Sequence, residues 1–295
     1  MAPKPPAGKK GKGCLLGCLG VIVVIVVLFG GLEIFRRYVI VTKLDKDAFK
    51  KYQLTPDITD IATKITLTNS TKDHFYQLEP RFVDTDDFIK FCNTIARGIE
   101  ALACYAPKPF GGPFAGKTIL LLQIDDPRFV DHKYSASAHE LLHSLYSQLS
   151  SDEKDRVNNL LNQELTKHPD DTHLQNALKE LQKVGKDEEE ITSELHSKFG
   201  VEYSDIAPKL ETYYQQYFQN RQKVVELYLK GGFGSRVRRI DQLNQELTVL
   251  SNQLTSEAQV NKYNAKVAEI NQLYSEMKEF YTLFNPDYKP PVEKQ

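Results

Sequence analysis

Residues 139–143 read H-E-L-L-H and place two histidines four positions apart. Because an α-helix repeats every 3.6 residues, His139 and His143 would share one helix face and could reach a single metal ion. Glu140 would lie about 100° further round the helix, beside the ion but not as a ligand. This pattern indicates a hydrolytic zinc site. The simpler alternative is a surface helix that happens to carry a histidine pair.

The flanking sequence predicts the elements that position this motif. Apolar residues recur at helical spacing over residues 135–149, and Ser135 or Ser137 can cap the start of that helix. Residues 118–124 form a short apolar run behind a Pro- and Gly-rich segment, which predicts a buried strand. We therefore expect a strand, a loop and then the motif helix.

In this order of elements the chain resembles the zincin metallopeptidases. Zincins with three histidine ligands continue as H-E-x-x-H-x-x-G-x-x-H, whereas residues 144–150 here contain no histidine. The chain is therefore more similar to the gluzincin branch, in which a glutamate on a later helix supplies the third zinc ligand. No more specific family is indicated.

The gluzincin resemblance implies a third ligand some tens of residues downstream, beside the apolar face of a helix. Glu194 fits, because it flanks Ile191 and Leu195 on an apolar stripe, and Gly200 is expected to end that helix. A solvated Glu194 in a surface ion pair is the non-functional alternative. Three nearby side chains are alternative ligands: Glu190, His196 and Glu202.

The resemblance implies amide hydrolysis in a protein or peptide substrate. Zinc bound by His139, His143 and Glu194 would lower the pKa of a water molecule towards about 7 and polarise the scissile carbonyl. Glu140 would take the proton and return it to the leaving amine. If the strand at residues 118–124 is an edge, an extended peptide could pair with it.

Two supporting roles are assigned less directly. The oxyanion is expected to need a second electrophile, for which His196 is the first candidate, with Tyr213 and Tyr214 as alternatives. Many gluzincins hold a ligand imidazole with an aspartate four residues after the third ligand, but this chain has Lys198 there. The groups expected to orient the imidazoles instead are Asp205, Glu202 or a backbone carbonyl.

An uncharged apolar run at residues 14–32 predicts a membrane anchor. Its 19 residues can cross a hydrocarbon core of about 30 Å. A cleaved signal peptide is the alternative, but no A-x-A site follows the run. Because a basic tail precedes the run, we expect a single-pass protein of the cell membrane with an extracytoplasmic catalytic domain, although basic residues also follow the run.

The predicted fold class is α+β, predominantly helical: a zincin-like catalytic domain with a small sheet, an N-terminal transmembrane helix and a C-terminal antiparallel helical hairpin. Six regions are expected: a basic tail (1–13), a transmembrane signal-anchor (14–35), a stalk (36–58), a zincin-like metallopeptidase domain (59–232), a helical hairpin or coiled coil (233–284) and a disordered tail (285–295). Strand-like alternation at residues 63–69 suggests a second strand for the sheet.

The hairpin is predicted from an apolar repeat of alternating three and four residues. Its phase slips between Leu254 and Val260, which favours two helices folded back through residues 255–259 over one kinked helix. The hairpin could mediate self-association or brace the catalytic domain.

Cys92 and Cys104 are the two cysteines outside the apolar run, and an oxidising compartment would favour a disulfide between them. An unbroken helix over residues 85–102 would hold them about 18 Å apart, so a bridge requires this helix to end early, near Gly98. The alternative is two buried thiols.

Charge excludes one class of partner. The chain has 38 Lys and Arg against 39 Asp and Glu, a net charge of −1, so no nucleic-acid surface is expected. The expected partners are a peptide or protein substrate and the membrane. The rival hypothesis is a non-enzymatic, membrane-tethered helical interaction protein with a coincidental H-E-x-x-H.

Overall fold

A computed structural model describes residues 52–92, 102–108 and 116–284. The predicted transmembrane segment at residues 14–35 and the tail at 285–295 lie outside these residues. Within the described ranges, no helix combines the length and the apolar character needed to span a membrane. The elements below belong to one unit comprising Gln53–Lys108 and Gly116–Gln295.

Helices dominate the described residues, together with a three-stranded sheet, as the predicted α+β class requires. The helices are α1 (Pro56–Lys64), α2 (Asn69–Gln77), α3 (Thr85–Cys92), α4 (His132–Ser147), α5 (Ser151–Leu165), α6 (Thr172–Lys183), α7 (Glu188–Val201), α8 (Pro208–Tyr214), α9 (Arg221–Lys230), α10 (Gly232–Ser251) and α11 (Glu257–Phe284). The strands are β1 (Arg81–Val83), β2 (Ala103–Pro107) and β3 (Lys117–Leu122).

The sheet has the strand order β1-β3-β2, with β1 parallel and β2 antiparallel to β3. The strand predicted at residues 118–124 is confirmed as β3, and four of its residues, Ile119–Leu122, are almost fully buried. β3 is the central strand, so the hypothesis that a peptide pairs with its free edge is wrong. Both sides of β3 already bond to neighbouring strands.

The strand predicted at residues 63–69 is wrong. Thr55 caps helix α1 by accepting a hydrogen bond from the Ile58 N–H, and Pro56 starts the helix with a favourable fixed φ. Helix α1 therefore continues to Lys64, and only Leu67 forms an isolated bridge, to Phe218. Capping and helix formation outweigh the local alternation of apolar residues.

A disulfide joins Cys92 to Cys104, with the two Cα atoms 5.8 Å apart. This separation excludes an unbroken helix over residues 85–102, which would hold the two positions about 18 Å apart. The disulfide ties α3 to the strand that borders the candidate site.

The core lies where α4 packs against the sheet and against α7 and α9. Leu141 and Leu142 of α4 and Phe199 of α7 are fully buried in this core, and each such side chain contributes about 1.5–3 kcal/mol by leaving water. Gly200 does not end α7, contrary to the sequence-based expectation. The helix continues to Val201, and Gly200 is a point of close approach between helices.

The C-terminal residues form the predicted antiparallel hairpin from α10 and α11. Arg236 pairs with Glu276 at 2.7 Å, and Arg239 pairs with Glu269 at 2.7 Å. The later residue of α10 therefore pairs with the earlier residue of α11, as in two antiparallel helices. This order excludes a single kinked helix. The seam between the helices buries three apolar side chains: Leu243, Leu247 and Ile270.

Candidate metal centre

His139 and His143 lie one turn apart on α4 and face a cavity of about 420 Å³. Their Nε2 atoms are 3.1 Å apart and their ring centroids 4.9 Å apart. Leu141 on the opposite face of the helix anchors α4 in the core, and Leu142 beside His143 is buried in the same core. Because that face cannot rotate outwards, both imidazoles are directed into the cavity.

Glu194 approaches the same point from α7, which packs along α4. Its Oε2 lies 3.5 Å from Nε2 of His139 and 3.3 Å from Nε2 of His143. The carboxylate is 11% exposed, so a surface ion pair is not its environment. Helix α7 starts with a capping box formed by Asp187 and Glu190, which sets where this helix begins.

His139 Nε2, His143 Nε2 and Glu194 Oε2 form a triangle with edges of 3.1, 3.3 and 3.5 Å. A tetrahedral zinc ion binds imidazole nitrogen and carboxylate oxygen at about 2.0–2.2 Å, which places its ligand atoms about 3.3–3.6 Å apart. The triangle therefore has the size of one face of a zinc coordination tetrahedron. The residues present fit a single divalent ion.

Glu140 lies beside this triangle, with a carboxylate oxygen within 4.8 Å of both imidazole ligand atoms. Its Oε2 accepts a hydrogen bond from the Tyr105 N–H of β2 at 2.8 Å. Bonds between the two segments fall at even positions, since Leu122 N–H donates to Leu102 O and Lys108 N–H donates to Gly116 O. Tyr105 is at an odd position between them, so its N–H points away from β3. The edge of the sheet thus orients the carboxylate expected to act as a base.

The pKa values of His139 and Glu194 depend strongly on each other's charge. Burial alone would lower the pKa of His139, but the Glu194 carboxylate outweighs this effect and raises it. Burial alone would raise the pKa of Glu194, but the two imidazoles hold it well below its usual value. Glu194 is therefore ionised across the physiological range, as a metal ligand must be.

The second ring nitrogen of His143 is held by Ser193, whose Oγ lies 2.9 Å from Nδ1. Such a contact orients the ring and leaves Nε2 for a metal. The expectation that Asp205, Glu202 or a backbone carbonyl holds this ring is therefore wrong for His143. The only sequence signal for Ser193 is its position directly before Glu194.

The alternative ligands have other partners. Glu190 caps α7 and pairs with Lys186, and the Glu202 carboxylate accepts hydrogen bonds from Lys198 at 3.0 Å and from His173 at 3.2 Å. Neither is in the triangle of ligand atoms. Glu194 is the acidic side chain of α7 that the structure brings to both imidazoles.

His196 is not at the cavity, so its expected role as the electrophile or as an alternative ligand is wrong. Two residues along a helix correspond to a rotation of about 200°, which puts His196 on the opposite face of α7 from Glu194. The ring is fully buried, and its Nε2 lies 3.0 Å from the Tyr213 hydroxyl. Burial lowers the pKa of His196 to about 3, so the ring is neutral.

Tyr213 and Tyr214 also belong to this buried aromatic cluster and not to the cavity wall. A residue not singled out in the sequence, His132, does line the cavity. Burial lowers the pKa of His132 to about 4, and nearby His139 adds to the effect. The spacing of seven between His132 and His139, two helical turns, was the signal that could have identified it.

Comparison with protein-family models, with curated proteins and with solved structures finds no match for this chain.

Proposed function

We propose that this protein is a zinc-dependent metallopeptidase, anchored in the cell membrane by residues 14–35, with its catalytic domain outside the cytoplasm. The observation that carries the proposal is the triangle of His139 Nε2, His143 Nε2 and Glu194 Oε2, whose edges of 3.1–3.5 Å match a zinc site. A coincidental histidine pair would not require a buried carboxylate from another helix at the same point.

The chain's own residues account for the proton transfers. Zinc in this site would polarise a scissile carbonyl and acidify a water molecule. Glu140, held by the Tyr105 N–H, takes the proton from the attacking water and returns it to the leaving amine. His132 is a neutral imidazole on the same cavity wall and can donate a hydrogen bond to the substrate.

A peptide is the favoured substrate because the cavity is bordered by a sheet edge. Within the described residues, β2 pairs only with β3, so Ala103 and Tyr105 direct backbone groups away from the sheet. An extended peptide can bond to these groups and pass the metal centre. The Tyr105 N–H is already bonded to Glu140 and Ala103 is buried, which leaves the Tyr105 carbonyl for the substrate.

Metal analysis of the full chain, purified in detergent with its N-terminal segment, tests the proposal. We expect about one zinc per chain, with loss of zinc in His143→Ala and Glu194→Ala. Glu188→Ala is the matched control, because Glu188 is an exposed acid on the same helix. Absence of metal from the wild type would instead support the non-enzymatic, membrane-tethered protein.

The peptidase step needs a separate assay. Glu140→Gln should retain zinc but lose cleavage of an unbiased quenched-fluorescent peptide library. Profiling of new protein N-termini generated by active and Glu140→Gln protein would then identify the substrate sequence. Zinc binding without cleavage of any peptide by the wild type would argue against a peptidase.

A further inference from the structure

Lys198 is a buried lysine placed between two carboxylates of one helix. Its Nζ lies 4.0 Å from Glu194 Oε1 and 3.0 Å from Glu202 Oε1. The three residues are spaced four apart, so they form a ladder along α7 and its C-terminal cap. Their side chains are only 7–11% exposed.

The two oxygens of Glu194 face different partners. Oε2 faces both imidazoles, whereas Oε1 is the oxygen nearest to Lys198. An ammonium group donates hydrogen bonds and accepts none, so Lys198 cannot hold a ligand imidazole as an acidic residue would. Its ion pair with Glu194 is the contact through which it can orient a candidate ligand.

On the side away from Glu194, Lys198 is held in place by Glu202. Glu202 binds it at 3.0 Å and also accepts a hydrogen bond from His173 of α6 at 3.2 Å. The Glu202 backbone carbonyl accepts a further bond, from Arg238 Nη2 of α10 at 2.9 Å. Groups from three helices thus fix the position of one ammonium group. A lysine that only balanced charge within α7 would not need contacts from two other helices.

We propose that Lys198 is a positioning residue whose charge, paired with Glu194 Oε1 at 4.0 Å, keeps that oxygen turned away from the metal, so that Glu194 is presented through Oε2 alone. The inference rests on the proposed zinc site. With Oε1 engaged, Glu194 supplies one oxygen, the protein supplies three ligand atoms, and a vertex stays available for substrate. Without Lys198, the carboxylate can turn and offer both oxygens, which raises the coordination number.

The test uses the full chain loaded with Co²⁺, because four-coordinate cobalt absorbs visible light more strongly than five- or six-coordinate cobalt. We expect Lys198→Met to weaken the visible bands and to raise the zinc Kd by about 10- to 100-fold, the usual cost of losing a group that orients a ligand. Lys198→Arg should restore both, since a guanidinium keeps the positive charge beside Oε1. The matched control is Lys183→Met, which removes a lysine that is 74% exposed on α6.

Lys198→Met leaves Glu202 without its ammonium partner, so the variant can lose stability for that reason alone. The double variant Lys198→Met/Glu202→Gln removes this unpaired charge and should show the same spectral change. Thermal melting of the metal-free proteins verifies that each variant is folded.

The outcomes separate this inference from the proposed function. If the wild type binds neither zinc nor cobalt, the proposed function fails and the positioning role with it. If the wild type binds metal but the folded Lys198 variants keep its spectrum and Kd, only the positioning role is overturned. Equal losses in Lys183→Met and Lys198→Met would also overturn it, because they would indicate a non-specific charge effect.

Discussion

Gly200 of α7 lies directly against the Leu142 side chain of α4. A methyl group added at position 200 would fall 2.3 Å from Leu142 Cδ1 and 3.0 Å from Tyr214 Cε1. Leu142 immediately precedes His143, and Gly200 lies on the same helix as Glu194. The same helix contact therefore sets the distance between the candidate metal ligands of α4 and α7.

Gly200→Ala should destabilise the protein and weaken zinc binding. Overpacking costs about 1–3 kcal/mol, which exceeds the gain of up to about 1 kcal/mol in helix propensity. Urea unfolding of the metal-free protein measures the first effect and zinc titration the second. Leu142→Val is the matched partner for a double-mutant cycle, since it shortens the clashing side chain. A more stable Gly200→Ala protein with unchanged zinc affinity would contradict this prediction.

Tyr105→Pro should reduce peptide cleavage without removing zinc. Proline lacks the N–H that holds Glu140, and that N–H does not bond to β3, so the sheet should tolerate the change. A hydrogen bond to a charged group contributes about 1.5–3 kcal/mol, which corresponds to a loss of roughly 10- to 100-fold in kcat/KM. Tyr105→Val keeps the N–H and is the control. Equal activity of the two variants would show that this bond does not orient the base.

His196 should make the metal-free protein sensitive to acid. An unfolded histidine takes up a proton below about pH 6.5, whereas the buried ring, with its pKa lowered to about 3, stays neutral. Lowering the pH between these values therefore favours the unfolded chain, by about 2 kcal/mol at pH 5. Chemical denaturation at pH 7 and pH 5 should show a smaller drop in unfolding free energy for His196→Gln. Identical drops in the two proteins would mean that His196 is not buried in the neutral form.

Removal of the disulfide should lower the unfolding free energy. Cys92 and Cys104 enclose a short loop with a sequence separation of 12, for which a loss of about 3 kcal/mol is expected in the Cys92→Ala/Cys104→Ala variant. Non-reducing peptide mapping of the full chain, isolated without reductant, should recover the linked pair. Recovery of both cysteines as free thiols would also argue against the extracytoplasmic location.

The sequence alone was sufficient for features that depend on neighbouring residues. The shared face of His139 and His143 follows from the helical repeat, and the start of α5 follows from the capping box of Ser150 and Glu153. The buried strand β3 follows from its continuous apolar run. In each case the interacting groups lie within a few residues, so backbone geometry fixes their separation.

Contacts between distant segments required the tertiary structure. The approach of α7 to α4 at Gly200 decides that Glu194, and not Glu190 or Glu202, meets the imidazoles. With α7 oriented so that Glu194 faces the imidazoles, His196 faces the core. Strand β3 is central because strands pair with it on both sides. These outcomes depend on how remote side chains pack, which the spacing of residues within one element does not specify.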